Sequence, residues 1–463
     1  MGNLDIGLPE YSTDFKSRRI QNWIIIGFLY SFFYMSRYNF SAIAPTLESV
    51  FGWTKSNLGI FETLMPLVYG LSVVINGPIA DKIGGRKAFL IGAAGVIVMN
   101  GLFGLSSIFV QAPAVWSDHQ LVQESLLNYG ISKTALLWLL AITWSLNGYF
   151  QSFGALSIVK INAQWFHIRE RGTFSAIFGV LIRFGLILAF SGTPLIVKYL
   201  AWYWAFWVPS IVIIGLFILV LFFVKDTPEE AGYPEFDTGD GSGKIVEKVR
   251  LLDVMKKVFN SKVMWMIAVG SMMIGFVRRS VVDAWWPVYY KEMHNVLGTN
   301  VPYQVTAWGI ALFGILGGFA FGITSDRIYR GRRAPVIVFG FIGMAVMLLL
   351  FYFADAIHLG VLAPVIMLPI LSFFVNGSHG MIAGAATMDF GGRKAAGTAV
   401  GLIDGMQYLA GSVVGMVVGY ITTNFGWQLW KLWPVPFAII GAIVMSRLWN
   451  VVPTSKSIQT KKE

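Results

Sequence analysis

The chain has no cysteine among its 463 residues, so a disulfide framework, thiol catalysis and a thiolate metal site are all excluded. Charge is scarce as well: 13% of residues are Asp, Glu, Lys or Arg against 56% hydrophobic ones, with a mean hydropathy of +0.65. A soluble globule of that balance would lack the polar surface to stay dispersed, which points to the bilayer as solvent and away from a soluble enzyme. No G-x-x-x-x-G-K-[ST] phosphate loop occurs, which argues against a nucleotide-driven pump. The first 19 residues are polar and mixed in charge, with no A-x-A-like cleavage site before the first apolar run, so no signal peptide is expected. The cation surplus, net +11, falls in short loops between apolar runs rather than on one polar face. That distribution reads as membrane topology, not nucleic-acid binding.

What the sequence does contain is a series of apolar runs, each near the ~20 residues that a spanning helix needs. They cover about 22–44, 58–78, 88–110, 134–158, 173–197 and 202–224, then 263–290, 304–325, 335–353, 361–386, 395–422 and 432–451. Between the two sets lies a polar stretch from Lys225 to Lys257, with Asp237-Thr238-Gly239-Asp240-Gly241-Ser242-Gly243 at its middle, a composition that buries no apolar surface. The expected fold is an all-α membrane protein of twelve transmembrane helices in two pseudo-symmetric six-helix bundles, residues 1–224 and 262–463, joined by a linker over 225–261. Lys82, Arg86, Lys87, Arg169, Arg171, Arg327, Arg330, Arg332, Arg333, Arg393 and Lys394 all fall in loops on one side, whereas the opposite loops hold single cations such as Lys55, Lys133, Lys198, Lys291 and Lys431. By the positive-inside rule both termini and the linker are expected to be cytoplasmic.

The halves repeat each other. Gly77-Pro78-Ile79-Ala80-Asp81-Lys82 after span two is matched by Gly322-Ile323-Thr324-Ser325-Asp326-Arg327 after span eight. Likewise Arg169-Glu170-Arg171-Gly172-Thr173 after span four is matched by Lys394-Ala395-Ala396-Gly397-Thr398 after span ten. With an even number of spans per half, the repeats are parallel, related by an axis along the membrane normal. The first motif extends to G-x-x-x-D-x-x-G-x-R-K and resembles the loop motif of the major facilitator superfamily. Asp81 is expected to accept from Arg86 or to sit at a helix N-terminus, as a conformational latch, with Asp326 as its repeat. The alternative is a plain solvated loop.

Four arginines interrupt apolar spans: Arg37, Arg183, Arg278 and Arg279. Each costs about 2.5 to 3.5 kcal/mol at a helix centre, so each needs an anionic partner. Arg37 and Arg278 lie 14 and 15 residues into the first helix of each half, roughly 21 to 23 Å along it. Two guanidinium forks at matching depth, facing one central cavity, make a site for a doubly charged anion such as a phosphate monoester. Asp283, four residues after Arg279, is expected to pair with it on one helix face. Neither Arg37 nor Arg278 has an acidic residue at that spacing, which favours substrate binding. Arg183 either serves the substrate or pairs with Asp404 or Glu62. Tyr30, Tyr34 and Arg37 share a stripe at i, i+4 and i+7 that either lines the site or packs between helices. Asn376 and His379 in span ten either pack or bind anion or proton.

These residues resemble the organophosphate and inorganic phosphate antiporters of the major facilitator superfamily, the group with glycerol-3-phosphate and hexose-6-phosphate transporters. The likeness is carried by Tyr34-Met35-Ser36-Arg37-Tyr38-Asn39-Phe40, by Trp165-Phe166 ahead of Arg169-Glu170-Arg171-Gly172, and by Asp226-Thr227-Pro228-Glu229-Glu230-Ala231-Gly232-Tyr233-Pro234. Arg278 with Asp283 and Pro287, Ser325-Asp326-Arg327 with Arg330-Gly331, and Lys394 to Ala399 extend it through the second half. The resemblance implies that Arg37 and Arg278 are the phosphate-binding pair, with Tyr30, Tyr34 and Tyr408 near the pocket. This chain departs from the glycerol phosphate transporter at Tyr38, Val73 and Ile182, where that protein has a cation, a lysine and a histidine, and it supplies Arg183 and Arg279 instead. The resemblance implies no metal or cofactor. The expected activity is exchange of a phosphorylated small metabolite for inorganic phosphate by a monomer in a bacterial inner membrane. A proton-coupled importer of organic anions, titrating Glu62, Asp404 or His379, and a non-transporting sugar phosphate sensor are the alternatives.

Overall fold

The computed structural model describes residues 12–111, 126–127, 131–167, 171–234, 236–238, 256, 260–354, 357–382 and 396–451. Twelve helical spans cross the molecule: Thr13–Ala42, Lys55–Ile83, Gly85–Leu105, Lys133–Trp165, 171–199 and Trp204–Phe223 in the first half. The second half contributes 262–294, 301–328, Arg333–Phe353, Leu362–Ile382, Ala396–Asn424 and Gly426–Ser446. Ten of the helices are long and apolar enough to cross a membrane. Spans one and four, with 30 and 33 residues, are long enough but more polar, because they carry groups such as Arg37, Asn147 and Gln151 inward. The helices run past the apolar segments into polar flanks where caps secure the free N–H groups. Ser12 accepts from Phe15 N, Ser132 from Ala135 N and Ser261 from Met264 N, and Thr54 with Asn57 forms a capping box. The linker centre and loop residues Arg169, Glu170, Lys394 and Ala395 lie outside the described residues, as does the side chain of Asp81.

Spans one to six pack among themselves, as do seven to twelve, and the halves meet chiefly where span two runs against span eleven and span five against span eight. The two-eleven seam is a backbone contact. A Cβ added to Gly59 would lie 2.7 Å from the Gly415 carbonyl oxygen, and one added to Gly415 would lie 2.5 Å from Thr63 N. At the end away from the termini, polar contacts also tie the halves. Lys55 pairs with Glu292 at 2.9 Å and Lys291 with Glu48 at 3.7 Å, while Lys291 also donates to the Pro45 carbonyl.

At the opposite end the loop motif joins spans three and six, while the side chain of Asp81, the expected partner of Arg86, lies outside the described residues. Arg86 donates its guanidinium to the Val220 and Leu221 carbonyls at the end of span six. The carboxylate at the N-terminus of span three is Asp226, which accepts from Arg86 N at 2.6 Å. Gly84, at φ 93, allows this approach: a Cβ there would stand 2.6 Å from Asp226 Oδ2. Neighbouring Lys225 exchanges two hydrogen bonds with Asn22 and accepts from Trp165 Nε1, and Tyr233 donates to Asp14. The Asp226-to-Pro234 motif is therefore a clasp joining spans one, three, four and six. In the second half Asp326 pairs with Arg333 at 2.6 Å.

Burial pushes the Asp226 carboxyl above the usual carboxylate range, with the Arg86 N–H opposing it. The folded chain thus holds this proton more tightly than the unfolded one. Its contribution to stability falls as pH rises from the ordinary carboxylate value through the raised one, and is level above that. At neutral pH the acceptor matters more than its charge: in detergent, Asp226→Asn is expected to melt at or above the wild-type temperature and Asp226→Ala to lose about 1 kcal/mol. An Asn variant as unstable as the Ala variant would show that the charge itself is required.

Candidate functional site

Span seven changes its winding where its charges are. Residues Arg278–Ala284 form a π-helical segment inside an otherwise α-helical span. Hydrogen bonds there run from i to i+5, so residues five apart stack where residues four apart would in an α-helix. Asp283 consequently sits over Arg278, with its Oδ2 2.9 Å from the Arg278 Nε, and not over Arg279 as the i+4 spacing suggested. Tyr38 of span one donates to the same carboxylate oxygen at 3.2 Å, so Asp283 bridges the halves. Arg279, turned away, pairs across the seam with Glu62 of span two, whose other oxygen accepts from Ser41 at 2.5 Å. Both pairs are almost wholly buried. The two corrections share one cause: the wide turn moves the register by one residue.

Among the described residues Arg37 stands without a carboxylate. Its Nε donates to Gln151 Oε1 at 3.1 Å and its Nη1 to the Tyr408 hydroxyl of span eleven at 3.2 Å, while Nη2 has no partner. The guanidinium lies over the rings of Tyr34 and Tyr69, 4.8 and 4.4 Å from their centroids. Ring faces lend partial negative charge to a desolvated cation, though far less than a carboxylate gives. Tyr30 packs edge-on to Tyr34 at 5.2 Å and Tyr408 tilts against Tyr69 at 4.5 Å, completing an aromatic wall.

Arg183 also reaches across the seam. Its Nη2 donates to Asn376 Oδ1 at 2.5 Å, and Asn376 is held in turn by the Ser372 hydroxyl and carbonyl. Neither Glu62 nor Asp404 forms an ion pair with Arg183 among the described residues, so the proposed pairings are replaced by a neutral amide. His379, one turn further along span ten, stands against Gln407 of span eleven.

Three contributors escaped the sequence reading. Gln151 and Tyr69 hold Arg37, and Gln407, next to Tyr408 in the chain, faces His379. A polar residue inside a span was the available signal for Gln151 and Gln407. Tyr69 had none, since an aromatic in an apolar run is ordinary.

The Arg279–Glu62 pair is a structural bridge that can be tested without ligand. Glu62→Gln leaves a buried guanidinium uncompensated and is expected to cost about 3 to 5 kcal/mol in detergent melting, whereas Glu62→Gln with Arg279→Met recovers most of the loss. Equal stability of the single variant and wild type would contradict the pairing.

Comparison with known proteins agrees with this architecture. The model of the Major Facilitator Superfamily matches residues 26–415. The chain is similar to the probable hexose phosphate transport protein of Chlamydia pneumoniae, with 26% identity covering 96% of this chain and 94% of that one. It is similar also to the glycerol-3-phosphate transporter of Bacillus subtilis, with 28% identity covering 94% and 93%. Among solved structures, a bacterial homologue of the human lysosomal transporter Spinster, inward-facing and unoccupied, has the same fold at TM-score 0.70, with 12% identity over 94% of this chain and 98% of that one. Twelve spans in two bundles, with matched loop motifs in each half and a family match spanning both, identify the chain as a member of the Major Facilitator Superfamily.

Proposed function

We propose that the protein is a secondary antiporter that exchanges a phosphorylated small organic metabolite for inorganic phosphate by alternating access. One observation carries this reading: two guanidiniums inside the spans, the buried Arg37 and the half-buried Arg183, lack a carboxylate partner among the described residues, and each hydrogen-bonds a neutral group of the opposite bundle. Two uncompensated cations in a membrane interior call for an anion of about two charges, and a phosphate monoester carries about −1.5 to −2. Arg278 joins them when the anion draws it from Asp283, whose second partner, the Tyr38 hydroxyl, remains. Asp283 in this reading is a resident counter-ion for Arg278, which modifies the simple Arg37 and Arg278 clamp expected from symmetry. Tyr30, Tyr34, Tyr408, Asn376 and His379 line the same chamber.

Because Arg37 and Arg183 each hold a contact from the other bundle, an anion bound between them links both halves. The bundles 1–224 and 262–463 then rock about it on the joint at 225–261. The Lys55–Glu292 and Lys291–Glu48 pairs close the end away from the termini, and they separate when that end opens. The basic loops favour cytoplasmic termini in a bacterial inner membrane, and the names of the similar proteins favour a sugar or glycerol phosphate as cargo. No second chain is needed to complete the site, which suits a monomer.

The test is counterflow in proteoliposomes loaded with phosphate. Labelled phosphate is expected to exchange for internal phosphate and for organophosphates. Arg37→Lys and Arg183→Lys, which keep charge but lose the planar fork, are expected to lower kcat/KM for exchange by about a hundredfold. Exchange at wild-type affinity in both variants would refute the site. Uptake driven by a pH gradient and indifferent to internal phosphate would instead support proton-coupled import, and ligand binding without flux a receptor.

A further inference from the structure

The end of the molecule that carries the termini is covered in one half and open in the other. In the first half, spans one, three and six converge on the Asp226 clasp, an acidic stretch that also holds Glu229 and Glu230. The repeat places spans seven, nine and twelve at the matching position. Arg332 there donates to Asn450 Oδ1 beyond the end of span twelve at 3.5 Å, as Arg86 donates to carbonyls at the end of span six. No clasp follows span twelve among the described residues. Between the three helices lies instead a shallow crevice, lined by Ile267, Ile337, Met445 and Leu448, with Arg333 as its one charged residue.

The rim of this crevice is cationic. The turn from span eight to span nine carries Arg327, Arg330, Arg332 and Arg333 against a single acid, Asp326, which is taken by Arg333. Arg330 and Gly331 are both left-handed, at φ 52 and 83, in a turn fixed by bonds from Gly331 N to the Ser325 carbonyl and from Arg332 N to the Tyr329 carbonyl. Arg447 adjoins Leu448 of the crevice in the chain. Arg327, Arg330 and Arg447 are exposed and form no ion pair or hydrogen bond among the described residues. Beside them Trp449 packs on Tyr329 and Phe339, with ring centroids 6.3 and 5.9 Å apart, an aromatic group of the kind that sits at headgroup level in a bilayer. Exposed Trp265, Phe339 and Ile443 mark the flanking surface as lipid-facing.

Charge decides between occupants. The residues after span twelve bring Lys456, Lys461 and Lys462 against one acid, Glu463, so the chain's own continuation is repelled by this rim, unlike the acidic stretch after span six. The complementary group is an anion from outside the chain, and an apolar slot beside the cations suits one with a hydrocarbon tail. We propose that the crevice between spans seven, nine and twelve binds an anionic phospholipid of the adjacent leaflet. Its phosphate lies against Arg333 and Arg447, Arg330 adds attraction, and its first acyl methylenes enter the slot. The lipid takes in the second half the place that the acidic clasp takes in the first.

The test is the association of spin-labelled phosphatidylglycerol, relative to spin-labelled phosphatidylcholine, with the protein in phosphatidylcholine vesicles, read by electron paramagnetic resonance. Wild type is expected to prefer phosphatidylglycerol by about fivefold or more. Arg330→Gln with Arg447→Gln is expected to bring that ratio below about twofold. Lys82→Gln with Lys87→Gln removes the same charge from exposed positions of the matching loop in the first half and is expected to leave the ratio near the wild-type value. Replacing chloride by inorganic phosphate at equal ionic strength is expected to leave it unchanged. Each variant is compared only where it melts in detergent at the wild-type temperature, which the exposure of all four side chains favours. Equal association of both lipids with wild type overturns the proposal. So does an equal loss in the two double variants, which would assign the preference to surface charge at large, and so does displacement by inorganic phosphate, which would assign the rim to a soluble anion. None of these results bears on exchange at the central site.

Discussion

A guanidinium cannot be left alone in the interior of a membrane protein, and the arrangement of this molecule's centre follows from how four of them are satisfied. Two are neutralised by carboxylates and two are not. Arg278 and Arg279 find Asp283 and Glu62, whereas Arg37 and Arg183 find a glutamine, a phenol, an asparagine and the faces of two tyrosines. The division is made by the π-helical segment Arg278–Ala284, which widens one turn and so sends adjacent arginines to different partners. Had that turn been α-helical, Asp283 would have faced Arg279 and left Glu62 facing an empty seam.

Of these contacts, Arg279 with Glu62, Arg37 with Tyr408 and Arg183 with Asn376 join one bundle to the other. Under the exchange proposed above, polar links across the seam suit halves that separate, because they are replaceable by water or ligand in a way that interdigitated apolar packing is not. Spans two and eleven approach closely through Gly59 and Gly415, and beside the glycines Tyr69 packs on Tyr408. Within the first half, spans one, three, four and six are lashed by the Asp226 clasp and by a buried asparagine chain in which Asn39 donates to Asn100 and Asn100 to Asn147, so that these four helices are tied to one another.

The clasp also explains why the Asp226-to-Pro234 segment has so marked a composition outside the apolar spans. Asp226 caps a helix, Gly84 makes room for it, and Tyr233 returns to Asp14, so each residue type answers to one contact. Arg86, from the loop motif, reaches the carbonyls at the end of span six, far away in the chain.

The number of spans, their approximate limits and the presence of four costly arginines were all readable from the amino acids, because hydropathy sums locally along a chain and a charge in an apolar run is conspicuous wherever it falls. The duplicated loop motifs likewise exposed the two halves. Partner choice was not readable. The pairing of Arg279 with Glu62, the capture of Asp283 by Arg278 and the embrace of Arg37 by Tyr69 and Tyr408 join residues from different spans, and they hang on a local change of helical winding that no spacing rule announces. Composition determined what the chain must bury, and only the crossing of helices decided against what.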